Sequence, residues 1–402
     1  MTDAVAARLD SGAGWVQAGA AALSMFATFG VAYSFGAFFE SMSDDFGTGR
    51  GATAIVFSLT ISLSFLLAPV TGRVADRRGP RPVLLIGAAF LAVGLLTTAA
   101  TPSLVLGYVT YGVGVGTAIA CGYVPMVANV GGWFVRRRTA ALGVAVAGIG
   151  LGTLVANPVA ATLIDATTWR TTFVIFAVAG TSLVLLAAAV VRVGPAVAPA
   201  ARLRPLRELL RRRDFALLYV SAGLVTLALF VPFVFLPGYA EDRGASEVAA
   251  AALVGVIGGA SVVGRLGLGA IAVRFGSIQV YTASFGLMAA SNLLWLVAGD
   301  RYWVMVAYAV ALGFGYGGFI AIAPAVAADR FGLEGLGGVL GTLYTSAAIG
   351  ALVGPPVAGV VIDTAGYAAA IVAAVVVSGL GTATLFPLVS ETRMPRPAPR
   401  SA

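Results

Sequence analysis

The stretch GASVVGRLGLGAIA, Gly259 to Ala272, is apolar except for one arginine, Arg265. A guanidinium in such surroundings does one kind of chemistry well. Its planar fork donates two parallel hydrogen bonds to a carboxylate. Arg265 stands 11 residues before Gly276, the glycine expected to close its helix. At ~1.5 Å per residue that is roughly 16 Å from the helix end, near the middle of a ~30 Å hydrocarbon core. A charge there costs about 2.5–3.5 kcal/mol on insertion scales, and snorkelling hardly relieves one so central. Arg265 is therefore expected to face a water-filled cavity as an anion site. The bland alternative is a strut bonded to carbonyls of neighbouring helices.

Other polar side chains share this apolar setting. Tyr123 lies two residues before Pro125, and Tyr316 eight before Pro324. Each offers a hydroxyl donor or a packing ring. Asn157, beside Pro158, can meet a substrate oxygen or a carbonyl freed by the proline; the carbonyl is the favoured partner. The chain has no histidine and a single cysteine, Cys121. That excludes an internal disulfide and removes the usual metal ligands and nucleophile–base pairs, so neither metal, cofactor nor enzymatic activity is expected. The glycine runs GVGVG (112–116) and GIGLG (148–152) look like phosphate-binding loops. They sit inside apolar stretches with no preceding strand, where close helix packing explains them better.

The elements holding these residues follow from composition. Of 402 residues, 59% are hydrophobic and 10% charged, against about a quarter charged in soluble domains. Short polar breaks divide the chain into twelve segments near the ~20 residues a spanning helix needs: 15–39, 51–74, 82–101, 103–130, 140–163, 170–191, 215–238, 247–273, 279–298, 302–327, 336–362 and 367–389. The polar tail Met1 to Gly14 is not a cleaved signal peptide in pattern. With both termini inside, 20 of the 25 arginines fall on the cytoplasmic side and four, Arg50, Arg170, Arg243 and Arg301, outside. This satisfies the positive-inside rule. The net charge of +8 then reflects topology, and no nucleic-acid partner is expected.

The chain also repeats. LGVAVAGIGLGTLVANPVAATLID (142–165) aligns without gaps on LGTLYTSAAIGALVGPPVAGVVID (340–363), with 10 of 24 positions identical at an offset of 198. GRVADRRGPR from Gly72 matches GAIAVRFGSI from Gly269 at an offset of 197. Span 2 thus corresponds to span 8, and span 5 to span 11. Six spans separate each pair, so the two copies are parallel. Three regions follow: a first half over 1–191, a linker over 192–214, and a second half over 215–402. Within the linker, RLRPLRELLRRR reads either as an amphipathic helix on anionic lipid or as a solvated connector. At the 197 offset, Arg265 aligns with Ala68, so a strut common to both halves is disfavoured.

GRVADRRGPR resembles the loop signature of the major facilitator superfamily through Gly72, Asp76, Arg77, Gly79 and Arg81. Gly72 is expected to allow close helix contact, and Gly79 a tight turn. DSGAGW (Asp10 to Trp15) and WFVRRRTAALGVAVAG (Trp133 to Gly148) are similar to the paired signatures of the monocarboxylate transporter family and its oxalate/formate relatives. The first departs from the family pattern at Ser11 and Ala13. The resemblance implies an all-α membrane protein with twelve transmembrane helices in two parallel-repeat six-helix halves. It makes Arg265 the carboxylate anchor. The animal transporters carry an aspartate one turn before that arginine and a lysine in span 1. Here those positions read Ser261 and Tyr33. Oxalate exchangers add a lysine in span 11, where this chain has no charge between Glu334 and Asp363.

One deep cation neutralises one carboxylate, whereas a dicarboxylate would leave a net charge in low dielectric. A small monocarboxylate, 2-oxo or 2-hydroxy, is the expected cargo. No carboxylate or histidine is expected deep in a span as a proton relay, so symport, exchange and facilitated diffusion all stay open. The resemblance tilts toward proton symport. The expected protein is a monomeric, multi-pass transporter of the cell inner or plasma membrane, in contact with lipid, monocarboxylate and possible co-transported proton. An antiporter exporting a drug or metabolite, or an oxalate/formate-type exchanger, is the alternative.

Overall fold

The computed structural model describes residues 9–195, 206–332 and 336–393. The tail with Arg8, linker residues Arg202 and Arg204, Glu334, Arg396 and Arg400 lie outside the described residues. Eleven helices are long and apolar enough to cross a membrane. They are α1 (Gly12–Phe46), α2 (Arg50–Arg78), α3 (Pro80–Ala99), α4 (Leu104–Gly131), α5 (Arg138–Ala166), α6 (Trp169–Val190), α7 (Arg213–Glu241), α8 (Glu247–Phe275), α9 (Ser277–Ala298), α10 (Tyr302–Phe331) and α11 (Leu336–Ala383). The last is two helices joined at Gly366, where φ is 80°. Its arms, 336–365 and 367–383, carry the segments expected as spans 11 and 12.

Several helices overrun their apolar stretches. α2 continues to Arg78 and α8 to Phe275, because nothing in their polar ends breaks a helix before a glycine does. Gly79 stops the first at φ 83°, and Gly276 the second at φ 93°. Both helices have 29 residues, and their bounds differ by the offset of the sequence repeat. Other helices are interrupted inside the core. α1 breaks at Ser34 and α7 at Phe230, the latter just before Pro232, whose missing N–H cannot continue the ladder. α4 contains a π-helical turn, Tyr108–Val113, and breaks at Tyr123, two residues before Pro125.

The repeat also organises the packing. α1 lies along α5 as α7 lies along α11, and α2 along α4 as α8 lies along α10; α3 lies along α6 and α9 along α10. In addition, α5 packs on α8 and α2 on α11. Small residues permit these approaches. A Cβ added at Gly148 or Gly152 would overlap the Ala22 or Phe26 carbonyl of α1, and Gly150 faces Gly258 of α8. Gly114 and Gly116 likewise lie against Gly94 and Thr60. Both glycine runs are therefore helix-packing surfaces. Within the described part of the linker, Leu206–Leu210 forms a short helix whose Leu209 is buried in the protein, while 192–195 is not helical.

Gly72 differs from expectation. An added Cβ would find only Val124 Cγ1 at 3.8 Å, an ordinary contact, so no close helix crossing depends on it. Gly79 instead combines positive φ with Val193 Cγ2 at 3.1 Å from its ideal Cβ. Gly79→Ala should destabilise the protein by about 1–2 kcal/mol, while Gly72→Ala should stay within about 0.5 kcal/mol of the parent. Thermal unfolding in detergent, comparing the two variants, is the measurement.

Candidate functional site

Arg265 is 7% exposed and is the one charged residue in the buried set of the described residues. It lies on α8 opposite α5, and its Nη1 donates to the Val146 carbonyl at 2.6 Å. The guanidinium thus bridges α8 and α5, as the strut reading required. It does so with one nitrogen only. Nε and Nη2 are buried and have no hydrogen-bond partner. Those two atoms form one edge of the guanidinium, the edge that meets a carboxylate in parallel. A buried donor left unpaired costs about 1–3 kcal/mol, more when charged. The arrangement is therefore complete only with an acceptor on that edge.

Tyrosines surround it. The Arg265 Cζ stands 5.8 Å from the centre of the Tyr316 ring. The Tyr316 hydroxyl is 3.0 Å from that of Tyr33, so α8, α10 and α1 are linked in one polar chain. Either hydroxyl can be the donor, leaving one proton of the pair for another acceptor. Tyr33 takes its position from the end of the helical run before the Ser34 break. Tyr123, half-buried at the α4 break, packs edge-on against Phe29 at 5.7 Å and lies within electrostatic reach of Arg265 and Tyr316.

Two sequence candidates stand apart. Ser261 is one turn from Arg265, but its hydroxyl donates to the Gly258 carbonyl at 2.7 Å. Asn157 Nδ2 donates to Thr153 O at 2.8 Å. The proline at 158 frees the carbonyl of Leu154 instead, which approaches Gly255 of α8, 3.0 Å from its ideal Cβ. The expectation that Asn157 satisfies the proline-freed carbonyl is corrected accordingly. Asn157 also lies roughly 16 Å of helix rise from Val146, too far to share a small ligand with Arg265. Its Oδ1 is buried without a partner.

Some neighbours were not singled out by sequence. Tyr344 on α11 lies within electrostatic reach of Tyr123 and Tyr316 and packs against Phe65 at 5.8 Å. The repeat could have found it, because the 198 offset places Tyr344 on Val146, the residue that accepts from Arg265. Above the tyrosines lies an aromatic layer. Tyr33 meets Phe233 at 4.6 Å and Phe57 at 6.3 Å, and Phe233 meets Tyr316 at 6.1 Å. No spacing in the sequence foretells this stack of rings from α1, α2, α7 and α10.

The two signature segments form a second constellation. Asp10 accepts from the backbone N–H groups of Val135, Arg136 and Arg137 at 3.4, 3.1 and 2.9 Å. Its own N–H donates to Trp133 O at 2.9 Å. Trp15 meets Phe134 edge-on at 5.1 Å, and Gly14 is small because Phe134 Cζ lies 2.9 Å from its ideal Cβ. Nearby, Gln17 and Asn129 hold the chain leaving α6: Arg192 N–H donates to Gln17 Oε1 at 2.7 Å and Gly194 N–H to Asn129 Oδ1 at 2.9 Å. Asp76, Arg77 and Arg81 are exposed at the ends of α2 and α3.

Comparison with known proteins adds a second line. The model of the Major Facilitator Superfamily matches residues 21–279 and 266–402. The chain is 32% identical over 374 residues to Monocarboxylate transporter 3 of Rattus norvegicus, covering 88% of this chain and 75% of that one. It is 30% identical over 383 residues to Monocarboxylate transporter 11 of Homo sapiens, covering 91% and 80%. It is also 26% identical over 314 residues to the Fujikurins efflux protein of Gibberella fujikuroi, covering 77% and 67%.

The Asp10 geometry carries a pH test. Backbone N–H groups of Arg137 and Arg136, which stabilise the ionised form, hold the Asp10 carboxyl below its ordinary value. A depressed folded-state value means that stability is present above the unfolded value, about 3.9, and lost as pH falls through the folded one. Asp10→Asn should lower the unfolding temperature near neutral pH. The gap to the parent should close on acidification below about pH 4. Melting curves across that range check it.

Proposed function

The chain belongs to the Major Facilitator Superfamily and to its monocarboxylate transporter family, and from that premise we propose that it carries a small organic monocarboxylate across the membrane. The observation behind this reading is the unpartnered Nε–Nη2 edge of Arg265. A carboxylate fits that edge in two parallel bonds, and its single negative charge balances the one buried cation. The Tyr316–Tyr33 hydroxyl pair supplies a further donor for a 2-oxo or 2-hydroxy oxygen, with Tyr123 beside it. Lactate and pyruvate have this chemistry.

Transport proceeds by alternating access. Two six-helix halves, 1–191 and 215–402, joined by 192–214, rock around the site, with each arm of α11 crossing the membrane to give twelve spans. Both termini and most arginines face the cytoplasm, and Arg50 faces outward. In this orientation the structure is closed to the outside. Gly36 of α1 meets the Phe233 carbonyl of α7, and Gly51 of α2 meets Gly359 of α11. The motif Gly72, Asp76, Arg77, Gly79 and Arg81 lies on the inner side, where its turn couples α2 to α3 as they move. The protein works as a monomer in the cell inner or plasma membrane, with a proton accompanying the anion. A second reading, export of a metabolite, is favoured by the likeness to the Fujikurins efflux protein.

Reconstituted protein should accumulate labelled lactate or pyruvate, and Arg265→Ala should abolish uptake. Arg265→Lys should fold but raise KM at least about tenfold, since one ammonium cannot hold Val146 and offer a two-bond edge. Unimpaired uptake by Arg265→Ala would overturn the reading. Oxalate should compete less well than either monoacid; stronger competition would favour a dicarboxylate exchanger.

A further inference from the structure

Arg50, at the N-terminus of α2, is the centre of the closed end. Its backbone N–H and Nη1 donate to the Asp363 carboxylate of α11 at 3.0 and 3.4 Å. Nη2 reaches Glu40 Oε1 of α1 at 3.7 Å. The guanidinium stands 5.8 Å from the ring centre of Tyr367, also on α11. From α7, Gly238 packs between Glu40 and Tyr367: its ideal Cβ lies 2.8 Å from Glu40 Oε1 and 3.3 Å from the Tyr367 hydroxyl. That hydroxyl is buried and has no hydrogen-bond partner. One arginine therefore ties together helices from both halves.

The charges at this end do not balance. On α1 stand Glu40 and Asp44, at the end of α7 Glu241 with Asp242 just after it, on α8 Glu247, on α11 Asp363. Facing them are Arg50 and Arg243, the latter lying over the Tyr239 ring at 3.6 Å. On α6, Arg170 is already committed to Asp45 at 2.7 Å, and α5 ends near the exposed Asp165. Closing the end brings the α1 carboxylates against those of α7 and α11. Asp363 holds Arg50 through two bonds, while Glu40 has only the longer contact. Glu40 is also half-exposed, its side chain at 40%, so protons from water can reach it.

We propose that Glu40 is a proton-binding site that controls closure of this end: the Arg50–Asp363 contact closes most readily when Glu40 is neutral. A proton taken by the Glu40 carboxylate from the outer solution removes one negative charge from a crowded cluster and leaves the Arg50–Asp363 pair intact. The neutral acid can still accept from Arg50 or bond the Tyr367 hydroxyl. Outer acid thus favours the state in which cargo has been enclosed, which gives inward transport a proton dependence without a charged relay beside Arg265. The inference rests on the alternating-access reading above, but its test uses no substrate.

Spin labels placed through Pro102→Cys and Asp300→Cys, on exposed loops of the two halves, report the opening by pulsed distance measurement; Cys121 is buried. In the parent, acidification should shift the population toward the shorter distance, with a closed-to-open ratio rising up to about tenfold per pH unit. Glu40→Gln should hold the shorter distance, with less than about twofold change across the same range. Glu40→Asp, which folds with the same charge, should keep a pH response. A parent that ignores acid, a Glu40→Gln protein that responds as the parent does, or a response lost in Glu241→Gln instead, overturns the proposal. None of these outcomes depends on whether lactate is carried.

Discussion

A buried guanidinium must have its charge and its five N–H donors answered, and this requirement shapes the centre of the protein. Arg265 reaches across to the Val146 carbonyl, which demands that α8 and α5 approach closely. They do so through small residues: Gly150, Gly255 and Gly258 lie where any Cβ would meet the opposite backbone or a threonine side chain. The α8–α10 contact is equally tight, with Gly264 against the Phe314 carbonyl and Gly317 against that of Ser261. Arg265 is thus fixed from two sides before any ligand arrives. A side chain so held loses little freedom on pairing, which makes its unused edge a pre-organised pair of donors.

The repeat supplies the scaffold, and the chemistry lies where the repeat is broken. Arg265 replaces the alanine of position 68. Tyr344 replaces Val146, so that one copy offers a backbone carbonyl and the other a phenol ring near the same centre. At the closed end the asymmetry has the opposite charge. Arg50 and Asp363 pair across α2 and α11, while their counterparts under the two offsets, Glu247 and Asp165, are both carboxylates. Like charges cannot form the same clasp, so among the described residues the Arg50–Asp363 pair has no counterpart ion pair under the repeat.

Much of this was legible in the sequence, for identifiable reasons. Arg265 stood out because one charge in an apolar run has few explanations; the repeat disfavoured a strut common to both copies, yet the strut contact to Val146 is present beside the unpaired edge. Gly79 and Gly276 were legible because a turn needs positive φ. The Tyr33–Tyr316 pair was legible only as two separate positions. Their contact joins α1 to α10 across 283 residues, a relation that local periodicity cannot carry. Glu40 does not stand out in the sequence, because its own helix places it near an end, where an acid is ordinary; its surroundings, Arg50, Asp363 and Gly238, come from three other helices. The Asn157 partner was misassigned by one residue of register, since Asn157 bonds Thr153 while the proline frees Leu154.

Tyr33 connects these two regions. Its hydroxyl belongs to the polar chain ending at Arg265, and its ring belongs to the aromatic layer with Phe57 and Phe233. Immediately after it the helix breaks at Ser34, whose hydroxyl turns back to the Val31 carbonyl at 2.9 Å. The segment beyond the break, Phe35–Phe46, carries Gly36 and Glu40, the two positions that touch α7 and Arg50. α7 breaks at nearly the same repeat position, just before Phe233. A broken helix transmits less torque than a continuous one, because the missing hydrogen bonds leave φ and ψ free to adjust. The segments beyond the breaks, Phe35–Phe46 and Val231–Glu241, pack on each other, while Gly12–Tyr33 packs along α5. On the transport reading, an anion at Arg265 that competes for the Tyr316 hydroxyl would loosen Tyr33 beside the α1 break, and both tyrosine rings touch Phe233 just past the α7 break.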